Sequence, residues 1–211
     1  GYGIISLPKN AANGQVSVSL KGETRTNLVK SSNMDKDTDG DGVVDDFNVW
    51  KPSDVTSIIS FDTEKKAQKI EITGGTATTH TEIYQRILGF NTGDIISGQC
   101  NIELTGNISA TLSLLYYKDN TYLGTAASTG VVNSGIVKIE NETVLENTNR
   151  ILFAIRVKPN SVGATGTVWI KNAVLEKSNV SREYITTGTK STVSAMRLKS
   201  VGKNKISSKI S

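Results

Sequence analysis

The 211-residue chain holds one cysteine, one histidine and three prolines, and each scarcity removes a class of protein. Cys100 has no partner for a disulfide and His80 has no companions, so neither a cysteine-based zinc site nor a histidine cluster can be built here. No apolar run approaches the roughly 20 residues that span a bilayer, and the N-terminus lacks the charged, apolar, small-residue order of a signal peptide. Membrane insertion is therefore not expected. The first residue is Gly1 rather than Met, which leads us to expect an excised or processed piece and leaves export open. There is no Ser-His-Asp order with a nucleophile elbow, no GxxxxGK phosphate loop and no HExxH. The chain is not expected to be an enzyme, although a larger parent protein would have room for catalysis elsewhere. With aromatics at 6%, an extended stacking platform is not expected either.

What is plentiful is Gly, Ser, Thr and Val, within a hydrophobic content of 36%. That composition favours a β-rich globular protein. "QVSVSLKG" near the start alternates with the period of a strand. Further on come "AQKIEIT", "TEIYQRILGF", "IISGQCNIEL", "ISATLSLLYY", "GIVKIEN", "RILFAIRVK" and "GTVWIKNAVLE", separated by Gly, Asn, Asp or Ser turns. Short strands at even spacing predict an all-β fold, a sandwich or jelly roll. In "RILFAIRVK", Ile151, Phe153, Ile155 and Val157 share a core face, with Arg150, Leu152, Ala154, Arg156 and Lys158 opposite. In "GTVWIKN", Val168 and Ile170 face one way, Trp169 and Lys171 the other.

Net charge is +4, but its distribution says more than its sum. Residues 189–211 carry Lys190, Arg197, Lys199, Lys203, Lys205 and Lys209 and no acid. With no aromatic stacking residue among them, a solvated tail or strand edge is a better reading than nucleic-acid binding. "SLKGETRTNLVKSS" at 19–32 echoes "RLKSVGKNKISSK" at 197–209 if one residue is gapped. We therefore expect an N-terminal linking segment (1–26), a β-domain (27–185) and a basic C-terminal linking segment (186–211).

The opposite charge gathers in "MDKDTDGDGVVDDFNVW", where residues 35–46 hold six Asp against one Lys. Like charges about 4 Å apart repel by about 1 kcal/mol per pair even in water, so such clustering is unfavourable unless a cation compensates it. "DTDGDGVVDDFN", residues 37–48, fits the twelve-residue calcium loop at most positions. Asp37, Asp39 and Asp41 take the first, third and fifth places, Gly42 the sixth, Val43 the seventh through its carbonyl, and Asp45 the ninth. Asn48 replaces the bidentate Glu at the twelfth place, so Asp46 or a distant residue is expected to complete the shell. No amphipathic helix flanks the loop, which points to a rigid calcium staple rather than a switch. Magnesium, with its tight octahedral demands, fits less well.

Three segments together carry a resemblance: "NLVKSSNMDKDTDGDGVVDDFNVW", strands containing "EIYQRI", and the closing "GTVWIKNAVLEKSNVSREYI". They resemble the jelly-roll carbohydrate-binding domains of bacterial glycoside hydrolases and of phage or prophage tail and baseplate proteins, over about residues 27–185. "RLKSVGKN" and "ISLPKNAANGQVSVSLKGETRTNL" resemble the linking pieces beside such domains in tail proteins. The resemblance implies a jelly-roll β-sandwich with short extended flanks, a saccharide partner on a cell surface, and a location in a virion or outside the cell. By tail-fibre analogy it also implies a homotrimer. A second ion site is implied where Asp35 meets Asn172, with Asn172 standing where many relatives have an aspartate.

Sugar rings need aromatic faces and planar polar groups, and the candidates are Trp50, Tyr84, Gln85, Tyr117, Arg156 and Trp169. Trp50 is read first as packing the acidic loop down. Tyr84 and Gln85 point to opposite faces, so only one can line a given groove. Tyr116 shares a face with Leu112 and Leu114 and is read as core. Arg156 and Trp169 each sit opposite a core face, and His80 is read as a surface or strand-edge residue. Three roles follow: a calcium-stabilised saccharide-contacting domain of a tail protein, an accessory sugar-binding module of a secreted polysaccharide-degrading enzyme, or a structural oligomerising domain of a tail or adhesin.

Overall fold

The computed structural model describes residues 15–128, 130–131 and 133–201. The described residues form strands β1 (Gln15–Asn27), β2 (Asn48–Trp50), β3 (Val55–Asp62), β4 (Ala67–Gly75), β5 (Thr81–Leu88), β6 (Ile95–Gly106), β7 (Ile108–Lys118), β8 (Thr121–Ala127), β9 (Gly135–Thr143), β10 (Arg150–Pro159), β11 (Gly166–Glu176) and β12 (Gly188–Val201). No helix long and apolar enough to cross a membrane is present among them. The chain divides into two units, Thr26–Thr189 and one made from Gly1–Arg25 with Lys190–Ser211. β1 and β12 form a two-stranded sheet. Residues 1–14 and 202–211 of the expected linking pieces, and most of the echo at 197–209, lie outside the described residues.

The larger unit is an antiparallel sandwich of two five-stranded sheets, ordered β2-β5-β10-β7-β8 and β3-β4-β11-β6-β9. The chain crosses repeatedly between the sheets, with β3–β4 and β7–β8 the sequential pairs that stay together, as expected of a jelly roll. β10 shows why the sheets close on each other. Its Ile151, Phe153, Ile155 and Val157 are fully buried between the layers, and each such side chain contributes about 1.5–3 kcal/mol of transfer free energy. Val168 and Ile170 of β11 meet them from the other sheet, and Tyr116 lies with Leu112 and Leu114 in the same core.

Two amides fasten this frame. The buried Asn27 side chain donates to the carbonyls of Ala173 and Ile185 (both 2.9 Å) and accepts from the N–H of Val29 and Leu175 (both 3.1 Å). It thereby ties the entry of the sandwich to its last strand, with donors and acceptor both satisfied. Gln85, on the core side of β5, exchanges hydrogen bonds with the backbone of Lys30 (2.8 and 3.0 Å) and donates to the Asp46 carbonyl (3.3 Å). The stretch from Lys30 to Asp46 is thus held against the first sheet.

Candidate functional site

The acidic loop runs from Asp35 to the start of β2. Backbone demands shape it first: Gly40 and Gly42 take positive φ of 76° and 87°, and a Cβ on Gly42 would stand 3.2 Å from the Ile59 carbonyl oxygen. Only glycine suits that sixth position. Asp37 then accepts from the N–H of Gly40 (2.9 Å) and Gly42 (3.0 Å), Asp39 from Asp41 (3.3 Å), and Asp41 from Val43 (2.7 Å). These turns bring carboxylate oxygens of Asp37, Asp39 and Asp41 within 4.8 Å of one another.

The other expected ligands have different neighbours. Asp45 gives one oxygen to the Thr38 N–H (2.8 Å) and the other to its hydroxyl (2.7 Å), and these bonds, the backbone one foremost, hold its carboxyl below the usual aspartate value. Asp46 accepts from the Ser31 hydroxyl (2.7 Å). Asn48 is exposed on β2, opposite Tyr84. Asp35 accepts from the Asn33 amide (3.4 Å), and the Asn172 N–H reaches the Asn33 carbonyl (3.4 Å), so both positions of the second expected ion site converge on Asn33. Tyr184 donates to the Asn33 side chain as well.

The loop is anchored by a residue the sequence did not single out. Gln68 of β4, fully buried, accepts from the Val44 N–H (2.8 Å) and donates to the carbonyls of Gly42 (3.0 Å) and Ser60 (2.9 Å). Its signal was available, since Gln68 is a polar residue in phase with the core positions Ile70 and Ile72. Val44 and Phe47 bury the loop's apolar side. Trp50, expected to do that packing, is instead 46% exposed, with its ring 5.4 Å from that of His80.

The outward side of the first sheet gathers most of the saccharide candidates. Register places Trp50, Glu82, Arg156 and Thr111 in one row across β2, β5, β10 and β7. The next row is Asn48, Tyr84, Ala154 and Ser113, then come Arg86, Leu152 and Leu115, and last Leu88, Arg150 and Tyr117. Leu115, Leu152 and Ala154 are buried there although the core lies on the other side of the sheet, and Tyr84 and Tyr117 pack against them. Tyr117 also meets Tyr122 edge-on at 5.7 Å, and the Arg150 guanidinium stands 4.8 Å from its ring. Strand spacing and rise put Tyr84 and Tyr117 about 17 Å apart.

At the β2 end, Glu82 accepts from Arg156 Nε (2.8 Å) and lies 3.4 Å from His80 Nε2. Burial pushes the Glu82 carboxyl up, but hydrogen bonds from His80 and Arg156 outweigh it and hold the group below its ordinary value. His80 thus stands partly buried beside a carboxylate, immediately before the first residue of β5.

Trp169 and Gln85 fall away from this face. Gln85 points to the core side as described. Trp169 lies on the outward side of the second sheet, where its indole N–H donates to Asp62 (2.7 Å) and Lys65 Nζ sits 4.6 Å from its ring centre. Lys65 in turn pairs with Glu103 (2.5 Å). The structure does not bring Arg156 and Trp169 together.

No protein-family model and no curated protein matches the chain. Solved structures do: the chain is similar to TmCBM61 solved with β-1,4-galactotriose (14% identity, TM-score 0.42, covering 71% of this chain and 97% of that one). It is also similar to the xylan-binding domain of CBM22 (10%, 0.45, 67% and 93%). The neighbours are mostly carbohydrate-binding modules. The enzymatically active domain of tailspike protein 4 of bacteriophage CBA120 is similar too (10%, 0.47), with 71% of this chain covering only 21% of that one.

Proposed function

We propose that the chain is a non-catalytic saccharide-binding module whose site is the outward side of the first sheet. One observation carries this reading: Tyr84 and Tyr117 lie on a buried patch of Leu115, Leu152 and Ala154 on the side of the sheet away from the core. A sheet that faced only water would have no reason to bury leucines there, whereas a firmly seated aromatic presents its free face to a ring at little further entropic cost. Trp50, Arg156 and Arg86 supply the polar and aromatic rim. Glu82 is poorly suited to act as a general acid, because its carboxyl is held below the ordinary value rather than above it.

Calcium belongs to the same reading. Asp37, Asp39 and Asp41 offer hard carboxylate oxygens in one small volume, and Asp39 and Asp41 each keep an oxygen without a protein donor among the described residues. Calcium takes six to eight such ligands in a flexible shell, so Val43, Asp45 and water would join them. The bound ion would fasten the segment that leads directly into β2 and Trp50. The order of sequence motifs, with linking pieces outside the sandwich, favours a domain of a phage or prophage tail protein contacting host-surface saccharide, with the trimeric state left to the parent fibre. A glycan array probed in calcium tests the reading. Binding that disappears in Tyr84→Ala/Tyr117→Ala is expected; a size measurement showing stable oligomers with no glycan bound would favour the structural role instead.

A further inference from the structure

The two outward sides of the sandwich differ in how many carboxylates accompany their cations. On the second sheet, Lys65 pairs with Glu103 (2.5 Å), Lys69 with Glu71 (3.1 Å) and Lys138 with Glu140 (3.7 Å). On the first sheet, register places Arg86, Arg150, Arg156 and Lys158 on the outward side with a single carboxylate, Glu82. Arg156 takes that carboxylate. Arg86 and Lys158 are exposed with no partner among the described residues. Arg150 is half buried over Tyr117, and its Nε has no acceptor among the described residues. Asp119, in the turn beyond Tyr117, is held by the side-chain amide of Asn149 at 2.8 Å.

Arg86 and Arg150 are diagonal neighbours on β5 and β10, and such neighbours stand about 7–8 Å apart. That is the spacing of their backbone positions; the Arg150 guanidinium leans toward Tyr117 on β7. A ligand that brings an anion to these rows supplies the acceptors the two arginines lack, and guanidinium is well matched to a planar carboxylate. The same patch holds Tyr117 and Leu152, so the anion should come on a ring that can lie against an aromatic face. Polyol phosphates lack that ring.

Resting on the assignment of this side as the saccharide site, we infer that its ligand is an acidic polysaccharide built from uronic-acid residues, with the carboxylate read by Arg86 and Arg150 and the ring by Tyr117. Recognition of the acid is local to these rows, and Trp50 and Arg156 at the far end serve the neighbouring sugars.

The experiment uses the full chain and a panel of polygalacturonate, alginate and hyaluronate, each beside its carboxyl-reduced neutral counterpart, with affinities from titration calorimetry. Expected is binding to an acidic member that falls about tenfold or more on carboxyl reduction and on Arg86→Gln or Arg150→Gln, with melting temperature confirming that each variant folds. Arg86→Gln, at an exposed position, is the safeguard should Arg150→Gln disturb Tyr117. Equal affinity for acidic and reduced forms, lost in Tyr84→Ala/Tyr117→Ala, overturns the inference and leaves the saccharide site standing. Binding to neutral glycans only does the same. Acid-dependent binding that survives both the arginine and the tyrosine substitutions would mean capture by the basic C-terminal segment, and overturns the inference together with the site.

Discussion

Trp169 and Tyr117 occupy equivalent places in the sequence pattern: each stands on a strand, out of phase with the core residues on either side. In the fold they differ in what they are free to do. Trp169 spends its N–H on Asp62 and its ring on Lys65, so this aromatic of the second sheet is engaged within its own sheet. Tyr117 rests on buried leucines beside Arg150, whose Nε has no acceptor among the described residues, so the outward side of the first sheet is apolar, cationic and incompletely satisfied. Both rings carry a cation, so the contrast lies in the polar groups around them: the Trp169 N–H and Lys65 have acceptors, whereas the Nε of Arg150 has none among the described residues.

The largest effect that could break this contrast is on binding. Replacing Tyr84 and Tyr117 with Ala should weaken saccharide binding by more than about a hundredfold, since each ring loses about 1.5–3 kcal/mol of burial, and calorimetry with the best glycan would show it. Next comes the ion. Calcium at a hundred times its Kd should stabilise the fold by about 2.7 kcal/mol, and Asp39→Ala or Asp41→Ala should remove that increment in thermal melts with and without chelator. Asp54→Ala should keep the increment, even though Asp54 accepts from Thr76 (3.0 Å) and Thr79 and its loss lowers the baseline.

A smaller effect separates the two faces from the other direction. Trp169→Ala should cost about 1–2 kcal/mol of stability through the lost indole bond and cation–π contact while leaving saccharide affinity unchanged. The smallest is a pH effect at Glu82. Its carboxyl is held below the ordinary value of 4.5, so its contribution is present above that pH and is lost as pH falls through the lower folded-state value. Glu82→Gln should flatten that part of the acid limb, with the part owed to Asp45, Asp54 and Asp62 retained.

The alternation of Ile151, Phe153, Ile155 and Val157 made β10 and its core face readable, because a half-buried strand writes its burial with period two. β3, "VTSIISFD", and the short β2 were not readable. β3 carries Ile58 outward at 53% exposure and Phe61 only half buried, so its pattern lacks a clean period. β2 has three residues and is defined by pairing with β5 rather than by its own sequence. The acidic turn was legible because its spacing is local: Asp37, Asp39 and Asp41 come together through contacts no more than five residues apart in sequence. Asp45 and Asp46 were not separable from them by spacing, since what draws them away is Thr38 and Ser31. Sequence placed Tyr117, Arg156 and Trp169 opposite core faces and set Tyr84 and Gln85 on opposite faces of their strand without deciding between them. Which of them share a sheet depends on strand order, which is decided by packing across more than a hundred residues.

The central claim, that saccharide binds on the outward side of the first sheet, is tested most directly by backbone chemical-shift mapping of the calcium-loaded chain with the best glycan from the array. Shifts concentrated at Tyr84, Arg86, Leu152 and Tyr117, with Lys69, Trp169 and Glu103 unmoved, are the expected result. Shifts centred on Trp169, or a saturating glycan that leaves the four first-sheet residues unmoved, would contradict it.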